Sequence, residues 1–221
     1  MRLTLLLVAL AALQLFAADA PKADAKPVVL LTGFEPFGGA KINESWETVK
    51  TFQGKEINGY TIQTALLPVI YDEMDAPLKQ AIAKHKPDIV ISFGVGTRVI
   101  QIETLARNGY HPMKPADNKD KAPPREKIIP DGKDTIPTEL PTEKIVAALK
   151  EAKIGVTTST DAGGYLCNEC FYRLMSLKDG PPVRGFIHVP PYKVKDPAGG
   201  VFDAEKLQRA VQTIVETVTK K

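Results

Sequence analysis

The chain has 221 residues, and its 29 lysines and arginines against 26 aspartates and glutamates leave a net charge of +3. With so small an excess, the lysine-rich patches at 114–127 and 220–221 read as solvated surface, so no nucleic-acid partner is expected. Two cysteines are too few for a four-ligand structural zinc site, and neither metal nor cofactor is expected.

The first twenty residues read as a signal peptide outside the fold. Met1-Arg2 gives a positive start, Leu3 to Phe16 is almost unbroken apolar sequence, and Ala18-Asp19-Ala20 has the small-x-small form of a cleavage site. The apolar stretch is short for a membrane span, so no stable membrane anchor is expected, and the chain is expected to be exported to a periplasm or the outside. Residues 21–27 read as a disordered segment, and 28–221 as one domain. Removing 20 residues from 221 leaves 201, enough for a well-buried core.

Strands and helices alternate from there. Val28 to Thr32 is a strand, followed by a glycine-rich loop with Phe34 and Phe37. Trp46 to Phe52 is a helix, Thr61 to Leu67 a strand and Tyr71 to Lys84 a helix. The β-branched run Asp88 to Gly94 is a buried strand, and Val99 to Glu103 is a second apolar run after the turn Gly94-Val95-Gly96. Lys, Pro and Asp dominate 109–130, which reads as a mobile surface loop or else a flap. Thr142 to Glu151 is a helix, Val156 to Ser159 a strand, Asn168 to Leu177 a helix and Gly185 to Val189 a strand ended by Pro190-Pro191. The closing helix, Asp203 to Thr219, has Asp203 as its cap and Leu207, Ala210, Val211, Ile214, Val215 and Val218 at helical spacing. This alternation implies the α/β class: a single three-layer α/β/α domain with a mostly parallel twisted sheet and helices on both faces, whose active groups gather at the carboxyl ends of strands.

Three residues carry the candidate chemistry. Cys167 falls at or near the start of a helix, where unpaired N–H groups and the positive end of the dipole stabilise a thiolate. His188 lies 21 positions later, at the end of a buried strand, as a base for that sulfur. Glu103, ending the second apolar run, can orient the imidazole by accepting its N–H. The backbone N–H of Cys167, with one from the turn containing Gly94 and Gly96, are candidate donors to a developing oxyanion. Plainer alternatives stand beside each: a cysteine as a small buried apolar group, a satisfied core histidine, a surface glutamate, turn glycines without a catalytic part.

The runs Leu30-Leu31-Thr32-Gly33-Phe34-Glu35-Pro36-Phe37-Gly38-Gly39, Asn43-Glu44-Ser45-Trp46, Asp161 to Asn168 and Phe186 to Pro191 together resemble the pyroglutamyl peptidase I family from about Val28 to the C-terminus. That resemblance implies a cysteine exopeptidase that removes N-terminal pyroglutamate from small peptides, with Cys167 as nucleophile, His188 as base and Glu103 completing a triad. It also implies that Phe34 and Phe37 hold the lactam ring, with Tyr165, Leu166 and Val95 as further walls. A small, flat, uncharged ring suits a mostly apolar pocket. Familiar members are cytosolic, so export is this chain's own feature, and assembly into a homo-oligomer is an open expectation. The spacing Cys167-Asn168-Glu169-Cys170 leaves a second reading, an exported redox-active or non-catalytic binding protein on the same fold.

Overall fold

The structure, a computed structural model, describes residues 26–96, 98–111 and 115–220. The expected leader and most of the expected disordered segment lie outside the described residues. Pro27 is already tied down, because its carbonyl accepts the Thr61 N–H at 2.9 Å.

Seven strands form one sheet in the order β2 (Glu56–Ile57), β3 (Tyr60–Leu67), β1 (Val28–Phe34), β4 (Ile89–Val95), β9 (Val183–Val189), β5 (Ile100–Glu103) and β8 (Val156–Ser159). The pairings β1–β3, β1–β4, β4–β9 and β5–β8 are parallel. Two are antiparallel, β2–β3 and β5–β9, so β5 and β8 run against the central strands. Period-two alternation divides the apolar residues between the faces. Val29, Leu31, Ile91, Phe93, Ile187 and Val189 pack beneath one face, against residues of α1 (Glu44–Val49), α3 (Thr142–Glu151) and α5 (Ala204–Thr219). Leu30, Val90 and Phe186 face the other layer, with α2 (Asp75–His85) and α4 (Leu166–Met175). The mostly parallel sheet covered on both sides is therefore present. No helix among the described residues is long and apolar enough to cross a membrane.

Local departures from expectation have local causes. The helix expected from Tyr71 begins only at Asp75, because Asp72 has φ of 61° and the Tyr71 N–H is taken by Asp117 Oδ2 at 3.0 Å. The first helix starts at Glu44, capped by Asn43 Oδ1 accepting from Ser45 N, and its end, Lys50–Phe52, tightens to a 3₁₀ turn. The cysteine helix begins two residues before the expected Asn168 and stops at Met175. Asp203 caps α5 as expected, accepting from Lys206 N at 2.8 Å. The β2–β3 hairpin was not expected, although its two-residue turn is Asn58-Gly59, with φ of 50° and 81°, the pairing that such turns favour. A small ribbon of β6 (Leu105–Arg107) and β7 (Thr135–Pro137) was also not expected, since three-residue strands carry almost no periodicity.

Candidate active site

Four strands and one helix start meet at the carboxyl ends of β1 and β4. The turn before α4 uses Gly163 and Gly164, with φ of 88° and 63°, and it delivers Cys167 to the second position of the helix. At that position the backbone N–H has no acceptor within its own helix. Asn168, 1 % exposed, fixes the helix from behind: its amide donates to the carbonyls of Arg107 and Gly109 and accepts from Arg107 N.

The sulfur rests over strand β4 because Gly94 has no side chain. A Cβ there would stand 2.7 Å from Cys167 Sγ and 2.8 Å from the Phe186 ring. Gly96 gives the same room to the imidazole, with His188 Cβ 2.7 Å from where its Cβ would be. Substituting alanine at Gly94 therefore has to move either the sulfur or the ring of a packed core residue. A displacement on the order of 1 Å at a reacting atom costs about 10²-fold in rate, and that loss of kcat is expected for Gly94→Ala, measured against wild type on one substrate. Unchanged kcat would show that the sulfur needs no such seat.

His188 and Glu103 come together across the antiparallel β5–β9 pair. Nδ1 of the ring lies 2.8 Å from Glu103 Oε1, which makes Nδ1 the donor and leaves Nε2 for the thiol. Glu103 is fully buried, and its other carboxyl oxygen has no partner among the described residues. Burial of the ring by itself opposes its charge. The neighbouring Cys167 sulfur and then Glu103, which is hydrogen-bonded to the ring, outweigh burial and push the His188 pKa up to about 9. Gly94 pairs with His188 in the β4–β9 register, so sulfur and ring share one edge of the sheet.

Beside the sulfur lies a narrow slot of about 230 Å³ including its open mouth, lined by Phe34, Phe37, Val95, Tyr165, Leu166 and Cys167. Asn43 and Val69 complete the lining, and sequence reasoning missed both in this place. Tyr71 was missed too: its ring meets Tyr165 edge-on at 5.6 Å, while Phe37 meets Tyr165 at 6.1 Å. Burial, reinforced by Asp117 and Cys167, pushes the Tyr165 hydroxyl up to about 12, so it stays neutral in the slot wall.

One expected donor is withdrawn. The Gly96 N–H already donates to the Val189 carbonyl at 2.7 Å, which leaves it no bond for an oxyanion. Nor is 109–130 a free surface loop in its described parts. Tyr110 and Ile128 are buried, Asn118 bonds Val69, Pro36 and Glu35, and the Tyr165 hydroxyl donates to the Ala116 carbonyl at 3.1 Å. Burial works against the charge on Asp117, yet backbone N–H groups of Lys121, Lys119 and Tyr71 hold its carboxyl below the usual range. The segment braces the slot from outside, a role its polar composition hid.

Peptidase chemistry of the cysteine class is what this fold and these neighbours define. The profile of the pyroglutamyl peptidase family matches residues 27–221. A pyrrolidone-carboxylate peptidase of Bacillus licheniformis is 41 % identical over 167 residues, covering 73 % of this chain and 77 % of that protein. One from Bacillus subtilis is 35 % identical over 199 residues, 87 % and 92 % of the two chains. Among solved structures, pyroglutamyl peptidase I of Bacillus amyloliquefaciens superposes with a TM-score of 0.82 at 32 % identity, covering 89 % of this chain and 97 % of its own. A pyrrolidone carboxyl peptidase mutant from Pyrococcus furiosus gives 0.79 at 31 %, covering 86 % and 97 %. The chain belongs to the pyroglutamyl peptidase family.

Proposed function

We propose that the protein hydrolyses the amide bond after an N-terminal pyroglutamate through a Cys167–His188–Glu103 triad and a thioester intermediate. The observation that carries this is the sulfur at the mouth of an apolar slot, seated over Gly94 beside an imidazole that is itself held by a buried carboxylate. The lactam ring enters between Phe34 and Phe37 on one side and Tyr165 and Leu166 on the other. Sγ attacks the scissile carbonyl, the oxygen gains the Cys167 N–H as donor, and the imidazolium passes its proton to the leaving amine as the C–N bond breaks. Water, deprotonated by the same ring, then attacks the thioester and releases pyroglutamate with the thiol restored.

Turnover of a pyroglutamyl arylamide alongside the prolyl analogue tests the reading. A strong preference for the lactam is expected, and failure to cleave it would end the proposal. Export, read from the leader at 1–20, belongs to the same proposal, and the N-terminus of the mature protein from fractionated cells checks it.

The redox alternative finds no support in the second cysteine. Both thiols are free, Cys170 is fully buried against Ser92, and burial pushes its thiol far up, away from the thiolate that disulfide exchange needs. Cys170→Ser is expected to keep activity within about twofold of wild type with and without reductant. A reductant requirement that vanishes in the variant would instead establish a Cys167–Cys170 disulfide.

A further inference from the structure

We infer that Gln101 reads the leaving side of the substrate, by hydrogen bonding the peptide group that follows the scissile bond. The inference rests on the proposed pyroglutamyl peptidase reaction.

The β5–β9 register pairs Gln101 with His188 and Glu103 with Phe186. Residues directly opposite in an antiparallel pair point to the same face, and so do residues two apart along a strand, so these four side chains share the face that carries α4. The intervening Ile102 and Ile187 lie in the opposite core layer, as that alternation requires. Glu103, His188 and Gln101 thus form a row from the sheet interior to its rim. Glu103 is fully buried and its second neighbour Gln101 only half-buried. Gln101 Oε1 lies 3.2 Å from where a Gly96 Cβ would stand, beside the ring carbons of His188, and its amide makes no hydrogen bond with the described residues.

The acyl slot occupies the other side of the sulfur. Phe34 ends β1, Val69 follows β3, and Val95 ends β4, while the sheet order continues β4–β9–β5 away from them. A substrate with its ring in the slot and its scissile nitrogen at His188 must carry its next residue over β9 toward β5. On that path stands the Gln101 carboxamide, uncommitted among the described residues, which offers N–H donors and an acceptor oxygen. A peptide unit presents the complementary pair; a naphthylamine leaving group, beyond the scissile nitrogen, presents neither.

The test compares wild type and Gln101→Met, which keeps length but removes both hydrogen-bonding functions, on pyroglutamyl-alanyl-alanine amide and on pyroglutamyl 2-naphthylamide. A fall in kcat/KM of roughly three- to tenfold on the peptide, the size of one uncharged hydrogen bond, is expected with the naphthylamide within about twofold of wild type. The retained naphthylamide activity also certifies folding. Equal losses on both substrates, or no loss on the peptide, would overturn the inference while leaving the reaction intact. Absence of wild-type turnover on either substrate would instead remove the reaction and this inference with it.

Discussion

Cys167→Ala is expected to lower turnover of a pyroglutamyl arylamide by about 10⁴-fold or more, because the variant keeps the slot and the imidazole but has no group to form the acyl bond. Alanine fits the seat left by Gly94 with space to spare, so the fold should survive. Thermal unfolding of the variant, within a few degrees of wild type, separates loss of chemistry from loss of structure. The expected result also includes retained binding: a pyroglutamyl peptide should still saturate the variant, since the walls from Phe34 to Leu166 are untouched. Turnover that persists within tenfold of wild type would remove the thioester from the mechanism.

Glu103→Gln carries the second large effect, expected at about 10²- to 10⁴-fold in kcat/KM. Glutamine preserves shape but can present an amide N–H to Nδ1, which favours the tautomer that puts the ring proton on Nε2, facing the sulfur it should deprotonate. It also removes the negative charge that helps push His188 up to about 9. The sign follows from that direction. A ring whose folded pKa lies above its ordinary value stays charged through neutrality, and the stability this contributes is complete below about pH 6.5 and is lost as pH rises through about 9. The alkaline limb of the kcat/KM profile should therefore fall near pH 9 in wild type and move to lower pH in the variant. A limb that stays in place would assign it to some group other than the imidazole.

Much of the site was legible because its chemistry is tied to local sequence. Cys167, His188 and Glu103 each sit where an apolar run or a glycine turn ends, and the fold needed only to bring those ends to one edge. Phe34 and Phe37 could be separated from ordinary core residues by the glycines around them. What sequence hid depended on neighbours far along the chain. Gly96 looked like a donor until the Val189 carbonyl was found on its N–H. Gly94 and Gly96 matter instead for the side chains they lack, a property that only the approaching sulfur and ring reveal. The start of α2 at Asp75 is set by Asp117, which draws away the Tyr71 N–H from a segment whose charges suggested free surface. Asn43, Val69 and Tyr71 reach the slot through packing, and the direction of β5 could not be read from a four-residue apolar run.

That reversed strand decides where the acid sits. Were β5 parallel to β9, a residue at its carboxyl end would emerge at the rim among solvent and counterions. Running the other way, Glu103 ends level with Phe186, mid-strand and fully covered. Mobile ions screen exposed charges over about 8–10 Å at ordinary ionic strength but reach a covered pair weakly. The share of the His188 proton affinity that Glu103 supplies should hence be nearly indifferent to brine, so that added salt weakens chiefly the share that comes from the less covered sulfur.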